Sequence, residues 1–513
     1  MRNSGLVLGV VFCATTGAAD PRFVAQTVPE HVYGGGWEHY VGGGLAVFDC
    51  NGDTRPDIFA AGGENVAQLM RNASEDGRDL TFQAETPANL AMTGVIGAYP
   101  FDFDSDGIVD LAVMRVGENR LMRGLGGCTF ETFAPDWFDG GKSWTTAFSA
   151  TWEQGQDRPT FAFGNYVDRA DPDGPFGTCD QNWLYRSKGD GYEVTPLEPA
   201  HCPLSMLFSD WNREGRADLR ISNDRHYYVT GGQEQLWAME NTPRLYTEAD
   251  GWKPYALWGM GIASRDLDFD GAPEVYLTSM GDQRLQRMAG NNRPHWDDAP
   301  YEAGATAHRP YSGGDGRPST GWHVSFGDVQ NDGLDDIFVA KGNVEQMPGS
   351  AMKDPNNLLL QTRDGTFVEA GLQASLDSLH RGRGAALVDF NNDGLLDIAV
   401  VNRRAPLEVF RNITENTGNW ISIRLQQPAS NRDAVGAFIE VRVQGKTITR
   451  EVYVGGGHAG GVSGPEHFGL GKAAAVQARV IWPDQEKSDW FDVSVNQRVS
   501  VQRGSQGTRI DSY

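Results

Sequence analysis

The chain has 513 residues, 39% hydrophobic and 10% aromatic, enough for a sizeable core and for more than one ordinary domain. Its formal net charge of −24 repels nucleic acid and anionic membrane surfaces, and makes divalent cations the natural partners. The 64 glycines and 25 prolines, with few stretches of helical period, point to short strands joined by tight turns.

The N-terminus opens with Met1-Arg2-Asn3, continues with an apolar run over residues 6–12, and closes on small residues up to Ala19. That is the plan of a secretory signal peptide, predicted over residues 1–19. No run approaches the roughly 20 apolar residues that a spanning helix needs. The mature chain is therefore expected to be secreted or periplasmic, without a membrane span. It keeps Cys50, Cys128, Cys179 and Cys202, an even set that permits two disulfides in an exported protein.

From residue 40 onward one unit recurs: an apolar strand, an acidic turn and a second apolar strand. Its acidic turns begin at Asp49, Asp102, Asp210, Asp266, Asp328 and Asp389, spaced by 53, 108, 56, 62 and 61 residues. The doubled gap hides a further copy at residues 146–163, which keeps both strands and has lost the acidic pattern. A third strand and often a fourth follow each turn, as in residues 119–123 and 128–131. Seven units of four strands predict an all-β, seven-bladed propeller over residues 20–415. The last unit lacks a clear fourth strand, and Arg22-Phe23-Val24-Ala25-Gln26 is expected to supply it and close the ring. In such blades the first-to-second and third-to-fourth turns share a face. That sorting favours the pairs Cys50–Cys128 and Cys179–Cys202.

The acidic turns follow D-x-[D/N]-x-D-G-x-x-D, with oxygen donors at positions 1, 3, 5 and 9, the carbonyl of position 7, and a glycine at 6. A hard cation with six to eight oxygen ligands wants such a set, and without His or Cys among the ligands calcium is favoured over zinc. The expected ligands are Asp49, Asn51, Asp53, Arg55 and Asp57; Asp102, Asp104, Asp106, Ile108 and Asp110; and Asp210, Asn212, Glu214, Arg216 and Asp218. The other three loops offer Asp266, Asp268, Asp270, Ala272 and Glu274; Asp328, Gln330, Asp332, Leu334 and Asp336; and Asp389, Asn391, Asp393, Leu395 and Asp397. Thr54 replaces the glycine in the first loop, Glu214 holds position 5 of the Asp210 loop and Glu274 position 9 of the Asp266 loop, so these three are expected to bind more weakly. The repeat resembles the FG-GAP or VCBS repeat of integrin α-subunit propellers, which implies several structural calcium ions.

Residues 416–505 read as a small all-β domain, with a tail over 506–513. Asn419-Trp420, His467-Phe468-Gly469-Leu470-Gly471 and Trp482-Pro483 resemble the ASPIC/UnbV domain of the cartilage acidic protein family and its bacterial relatives. The turn Gly455-Gly456-Gly457-His458-Ala459-Gly460-Gly461 departs from that family, and it is no phosphate loop, since it joins strands and lacks a Lys-Ser/Thr.

Segments entering the first strand of each blade should gather at the ring axis, opposite the acidic loops. They carry Trp37, His39, Trp144, His201, Trp258, Trp322, His323, His380, Arg381 and Arg383. Two functions follow. The first is a calcium-rigidified binding, adhesion or scaffolding protein whose partner, an extracellular or periplasmic protein, glycan or small ligand, sits on that rim. The second is an enzyme of natural-product or glycan metabolism using an axial pocket.

Overall fold

The computed structural model describes residues 19–172, 177–224, 232–290, 293–504 and 507–513. The expected signal segment, save its last residue, lies outside them. The fold is all-β. Among the described residues the only helical elements are two three-residue 3-10 turns, Trp37–His39 and Tyr301–Ala303.

Residues 20–412 form seven antiparallel sheets, each with four strands from this region. Their first strands, Leu45–Phe48, Val95–Phe101, Thr145–Thr151, Pro203–Ser209, Gly259–Arg265, Gly321–Gly327 and Arg381–Val388, neighbour one another in order, and the last returns to the first. They are almost wholly buried because they line the centre of a closed ring. Alternate side chains therefore pack either between blades or against the axis. The N-terminal strand Phe23–Gln26 pairs with Glu408–Asn412, Phe23 opposite Asn412, and completes the seventh sheet as expected. Both disulfides also follow the predicted pairing, Cys50–Cys128 and Cys179–Cys202.

The C-terminal domain is a sandwich of two four-stranded sheets around Ile421, Ile423, Ile439, Val441, Phe468, Val480 and Trp482. The expected tail is structured: Gly507–Ser512 pairs with Gln497–Gly504 as an outer strand. Between Glu451 and Glu466 the chain leaves the sandwich and enters the ring. Gly461–Ser463 pairs in parallel with Leu45–Phe48, giving the first blade a fifth strand.

Candidate functional site: acidic loops, docked domain and opposite rim

The six acidic turns share one backbone. In five of them the position 1 carboxylate takes the N–H groups of positions 5 and 6, as Asp102 does from Asp106 and Gly107, and Asp389 from Asp393 and Gly394, whereas Asp266 takes that of Gly271 and not that of Asp270. In the Asp49, Asp102, Asp328 and Asp389 loops the position 9 carboxylate takes the N–H of position 2 and one from the third strand, as Asp110 does from Phe103 and Gly124, and Asp397 from Phe390 and Asn412. Positions 4 and 6 are left-handed throughout: Ser105 and Gly107 have φ of 64° and 92°, and in the first loop Gly52 and Thr54 have 78° and 71°. Thr54 thus holds a conformation that costs a β-branched residue on the order of 1–3 kcal/mol.

These turns fit a cation. Asp102, Asp104 and Asp110 bring carboxylate oxygens within 4.8 Å of one another, as do Asp266, Asp268 and Glu274. Asp266 Oδ1, Gln330 Oε1 and Asn391 Oδ1 are buried acceptors with no hydrogen-bond partner. Burial pushes the carboxyls up, to about 7 for Asp57, about 6 for Asp102, about 8 for Asp110, about 7 for Asp266, about 8 for Glu274 and about 7 for Asp389. Burial, reinforced by neighbouring carboxylates, raises Asp328, Asp336 and Asp397 well above their ordinary range. Carboxylates so arranged repel one another unless a cation sits among them.

The Asp210 loop corrects the sequence reading. Arg216, expected to offer only its carbonyl, turns its guanidinium onto Asp218 Oδ1 at 3.0 Å. Trp211 Nε1 and Tyr246 Oη both donate to Asp218 Oδ2. A protein cation and two donors already hold the position 9 carboxylate, which does not fit a metal ligand.

The C-terminal domain sits on this same face and touches the acidic loops mainly through position 4. Ser105 Oγ accepts from Asn431 N at 3.0 Å, Arg213 pairs with Glu440 at 2.6 Å, and Lys446 lies 4.3 Å from the centre of the Phe269 ring. His467 Nε2 meets Asn331 Oδ1 at 2.7 Å, and Arg498 donates to Asn392 Oδ1 and to Thr54 O. Glu451 accepts from Ser209 Oγ and from Asp210 N. Arg450 makes a buried two-pronged pair with Asp335, beside the Asp336 ligand position. None of these partners is marked in the sequence. The one available signal is that position 4 holds residues as dissimilar as Ser, Arg, Phe and Asn in a conformation that favours glycine or asparagine.

The axis is filled. The glycine-rich segment enters from the acidic face and is stitched to the inner strands: Ala150 N to Val454 O, Gly456 N to Met206 O, Gly457 N to Ile262 O, and Tyr99 Oη to Gly456 O. Its tip, His458, accepts from Gly42 N at 3.2 Å and donates its own N–H to His323 Nδ1 at 3.0 Å. His323 must then carry its proton on Nε2, which bonds Ser325 Oγ at 2.8 Å. Burial brings His323 down to about 4 and, with the charges of Arg383 and His323, His458 to about 3, so both are neutral. Arg383 is fully buried, stacks 4.0 Å from the Trp322 ring centre, and spends its donors on the carbonyls of Tyr40, Gly382, Asn343 and Val344. Trp322, His323 and Arg383 do converge as expected, but around the chain's own His458. The open axial pocket predicted for an enzyme is therefore not present at that position.

The rest of the predicted rim set divides. Trp37 and Trp144 meet edge to face at 5.6 Å, His201 is buried, Trp258 half-buried and His380 exposed. His39 is buried near Arg403, which donates to its carbonyl. Arg403, Arg404 and Arg381 surround Glu345 at 2.7, 2.9 and 3.2 Å. Burial pushes the Glu345 carboxyl up, but the bond and charge of Arg403, with Arg381 and Arg404, outweigh it and hold the group below its ordinary range.

A propeller of acidic-loop repeats bearing a docked C-terminal sandwich defines the class. Residues 49–113 match the FG-GAP-like repeat model, and residues 427–508 match the ASPIC and UnbV model. The chain thus carries an FG-GAP-like repeat and an ASPIC/UnbV domain, and it is similar to the cartilage acidic proteins. Cartilage acidic protein 1 of Homo sapiens is 36% identical over 114 residues, 22% of this chain and 14% of that protein. Its Mus musculus counterpart is 25% identical over 232 residues, 44% of this chain and 34% of that protein. The matches thus span from about a seventh to about a third of these relatives. Among solved structures, YCF48 from Cyanidioschyzon merolae aligns with 77% of this chain and 99% of that one at 8% identity and a TM-score of 0.41. Among the described residues no helix is long and apolar enough to cross a membrane.

Proposed function

We propose that this protein is an exported, calcium-stabilised binding scaffold whose partner is held on the rim opposite the acidic loops. The observation that carries the reading is the docked domain. It covers the acidic face and fills the axis, leaving the opposite rim as the broad propeller surface still free to meet a partner. In a chain of net charge −24, that rim gathers Arg381, Arg403 and Arg404 around a single carboxylate, with Arg404 51% exposed. Such a patch suits the negative groups of an extracellular protein, glycan or small ligand. Trp37, Trp258 and His380 reach the same surface, whereas His39 is buried, and Trp322, His323 and Arg383 serve to seat His458. Calcium in the Asp49, Asp102, Asp266, Asp328 and Asp389 loops would fix the backbone on which the C-terminal domain rests. The disulfides and the relation to cartilage acidic proteins support an exported location.

The test uses an immobilised sulfated polysaccharide as an anionic probe. The full chain should be retained at low salt, and Arg381→Glu with Arg404→Glu should lower the eluting salt. Arg509→Glu, on the outer strand of the C-terminal domain, should not. An equal loss in both variants, or no retention of the parent chain, contradicts the placement.

A further inference from the structure

Gly507–Ser512 ends one sheet of the C-terminal sandwich, and among the described residues no strand pairs with its far side. An open edge is a template for another chain, and proteins guard such edges with short strands, lysine, proline or bulges. Elsewhere in this molecule the guards are in place. The fourth strands of the blades have two to five residues, save Gly191–Leu197, which carries Pro196. In the sandwich, Phe491–Ser494 has four residues. Glu466–Gly471 lies against the propeller through the bond from Gly471 N to Asn331 O, and Lys446–Glu451 through Arg450 and Glu451. Gly507–Ser512 has six residues in unbroken register and none of these devices.

The ladder decides which groups face outward. Tyr513 N donates to Arg498 O at 3.2 Å, so residue 513 points inward, toward Gln497–Gly504. Backbone groups alternate along a strand. Asp511 and Arg509 therefore point inward as well, and Thr508, Ile510 and Ser512 turn both N–H and C=O to the free side. Side chains alternate too. Ile510 stands opposite Val501, which is buried in the sandwich core, yet Ile510 itself is 36% exposed. Arg509 and Asp511 share the other face and pair with each other at 2.8 Å.

This strand is complementary to itself. Turned about a two-fold axis through Ile510, Thr508-Arg509-Ile510-Asp511-Ser512 sets Ile510 against Ile510, Arg509 against Asp511 and Thr508 against Ser512 of a second copy. The 510–510 and 508–512 pairs are then the hydrogen-bonded ones, and they use every outward N–H and C=O of those residues. Arg509 and Asp511 fall in the non-hydrogen-bonded pairs, where opposed side chains come closest and opposite charges stabilise. Sliding the partner by one residue sets outward groups against inward ones. Sliding it by two sets Asp511 on Asp511 or Arg509 on Arg509. Charge therefore selects one register.

We propose that this edge is an interaction surface for a second copy of the chain, forming a two-fold dimer through one antiparallel pair of Gly507–Ser512 strands. Each copy spends its one open edge on the other, so the assembly closes at two. The pairing also covers each exposed Ile510 with its counterpart. One strand pair is a small interface, so a Kd on the order of 10–100 µM is expected. The surface is the outer edge of the C-terminal domain and does not rest on the rim. A column run at about 1 µM or below keeps the chain single, so the two readings fail separately.

Sedimentation velocity on the full chain, from about 1 to about 300 µM, should show a mass rising from one chain toward two. Ile510→Pro removes an N–H that faces the partner and leaves the strand's own ladder intact, since that N–H points away from it. It should weaken association at least tenfold with Tm little changed. Arg509→Asp and Asp511→Arg each set like charges across the two-fold axis and should leave single chains. Mixed in equal amounts, these two variants restore both Arg–Asp pairs and should associate with each other, as should the double exchange with itself. A mass of one chain throughout overturns the dimer. Association untouched by Ile510→Pro, or mixed charge variants that stay single, overturns the edge and its register. The proline variant and the double exchange keep the test decisive even if a single charge variant frays the strand.

Discussion

Gly97 offers the sharpest test of how the hairpin is seated. It stands on the inner strand of the second blade with an ordinary φ, so its backbone accepts alanine. A Cβ built there would fall 1.7 Å from Ala459 O and 2.7 Å from the Ala459 carbonyl carbon. An ordinary carbon–oxygen contact needs about 3.2 Å or more, so the tip must withdraw by roughly 1.5 Å or the blade must open. Withdrawal breaks the bonds from Gly42 N to His458 and from His458 N to His323, and loosens Tyr99 Oη from Gly456 O. At about 0.5–1.5 kcal/mol each, with overpacking strain of about 1–3 kcal/mol, Gly97→Ala should cost on the order of 3–5 kcal/mol. The control is Gly191→Ala, where an added Cβ meets nothing within 4 Å.

Two assays read the outcome. Thermal melting should place Gly97→Ala several degrees below both the parent and Gly191→Ala. Limited proteolysis should show new cleavage between residues 452 and 465, since a hairpin that has left the axis presents an extended, glycine-rich chain. A Gly97→Ala protein with unchanged Tm and an uncut hairpin would refute the seating.

In the metal-free protein, carboxyls that start from an ordinary value of 3.8 or 4.5 and rise to about 6–8 bind more protons folded than unfolded. Their contribution is full at acid pH and is lost as pH rises through that range, so EDTA-treated protein should melt lower at pH 8.5 than at pH 5.5, and calcium should flatten the slope; an identical slope with and without calcium speaks against the ion. Arg216→Met should release Asp218 and add one ion to the bound total by native mass spectrometry, an increase that would not appear if the loop were already loaded. Arg450→Met leaves Asp335 buried without its cation and should cost about 3–5 kcal/mol by denaturant titration, whereas a neutral result would mean that the domain interface is hydrated at that point.

What could be read beforehand follows from where the information lies. The strand–turn–strand unit repeats because each blade needs the same buried inner strand and the same tight turn, so one pattern counted along the chain gave the ring. The N-terminal strand was legible through Phe23-Val24, a near copy of Phe367-Val368 in the preceding blade's fourth strand. The disulfides followed from the alternation of faces. The Asp210 loop misled because a motif assigns position 7 by its backbone carbonyl and ignores the side chain, yet there the side chain, Arg216, takes the place a cation would have.

The hairpin was illegible for a deeper reason. Its partners lie from 135 to 416 residues away in sequence, and its contacts are mostly backbone to backbone, which leaves no side-chain pattern on residues 455–461. Its trace is on the other side of the contact, in the small residues the inner strands must present to it. Gly44 and Gly97 each stand where a Cβ would collide with Ala459 O. The acidic loops and the hairpin then form one construction. The loops fix left-handed position 4 residues that grip the C-terminal domain, and the domain delivers His458 to the far end of the axis. Loss of metal at one face should therefore be felt at the other, through the domain that joins them.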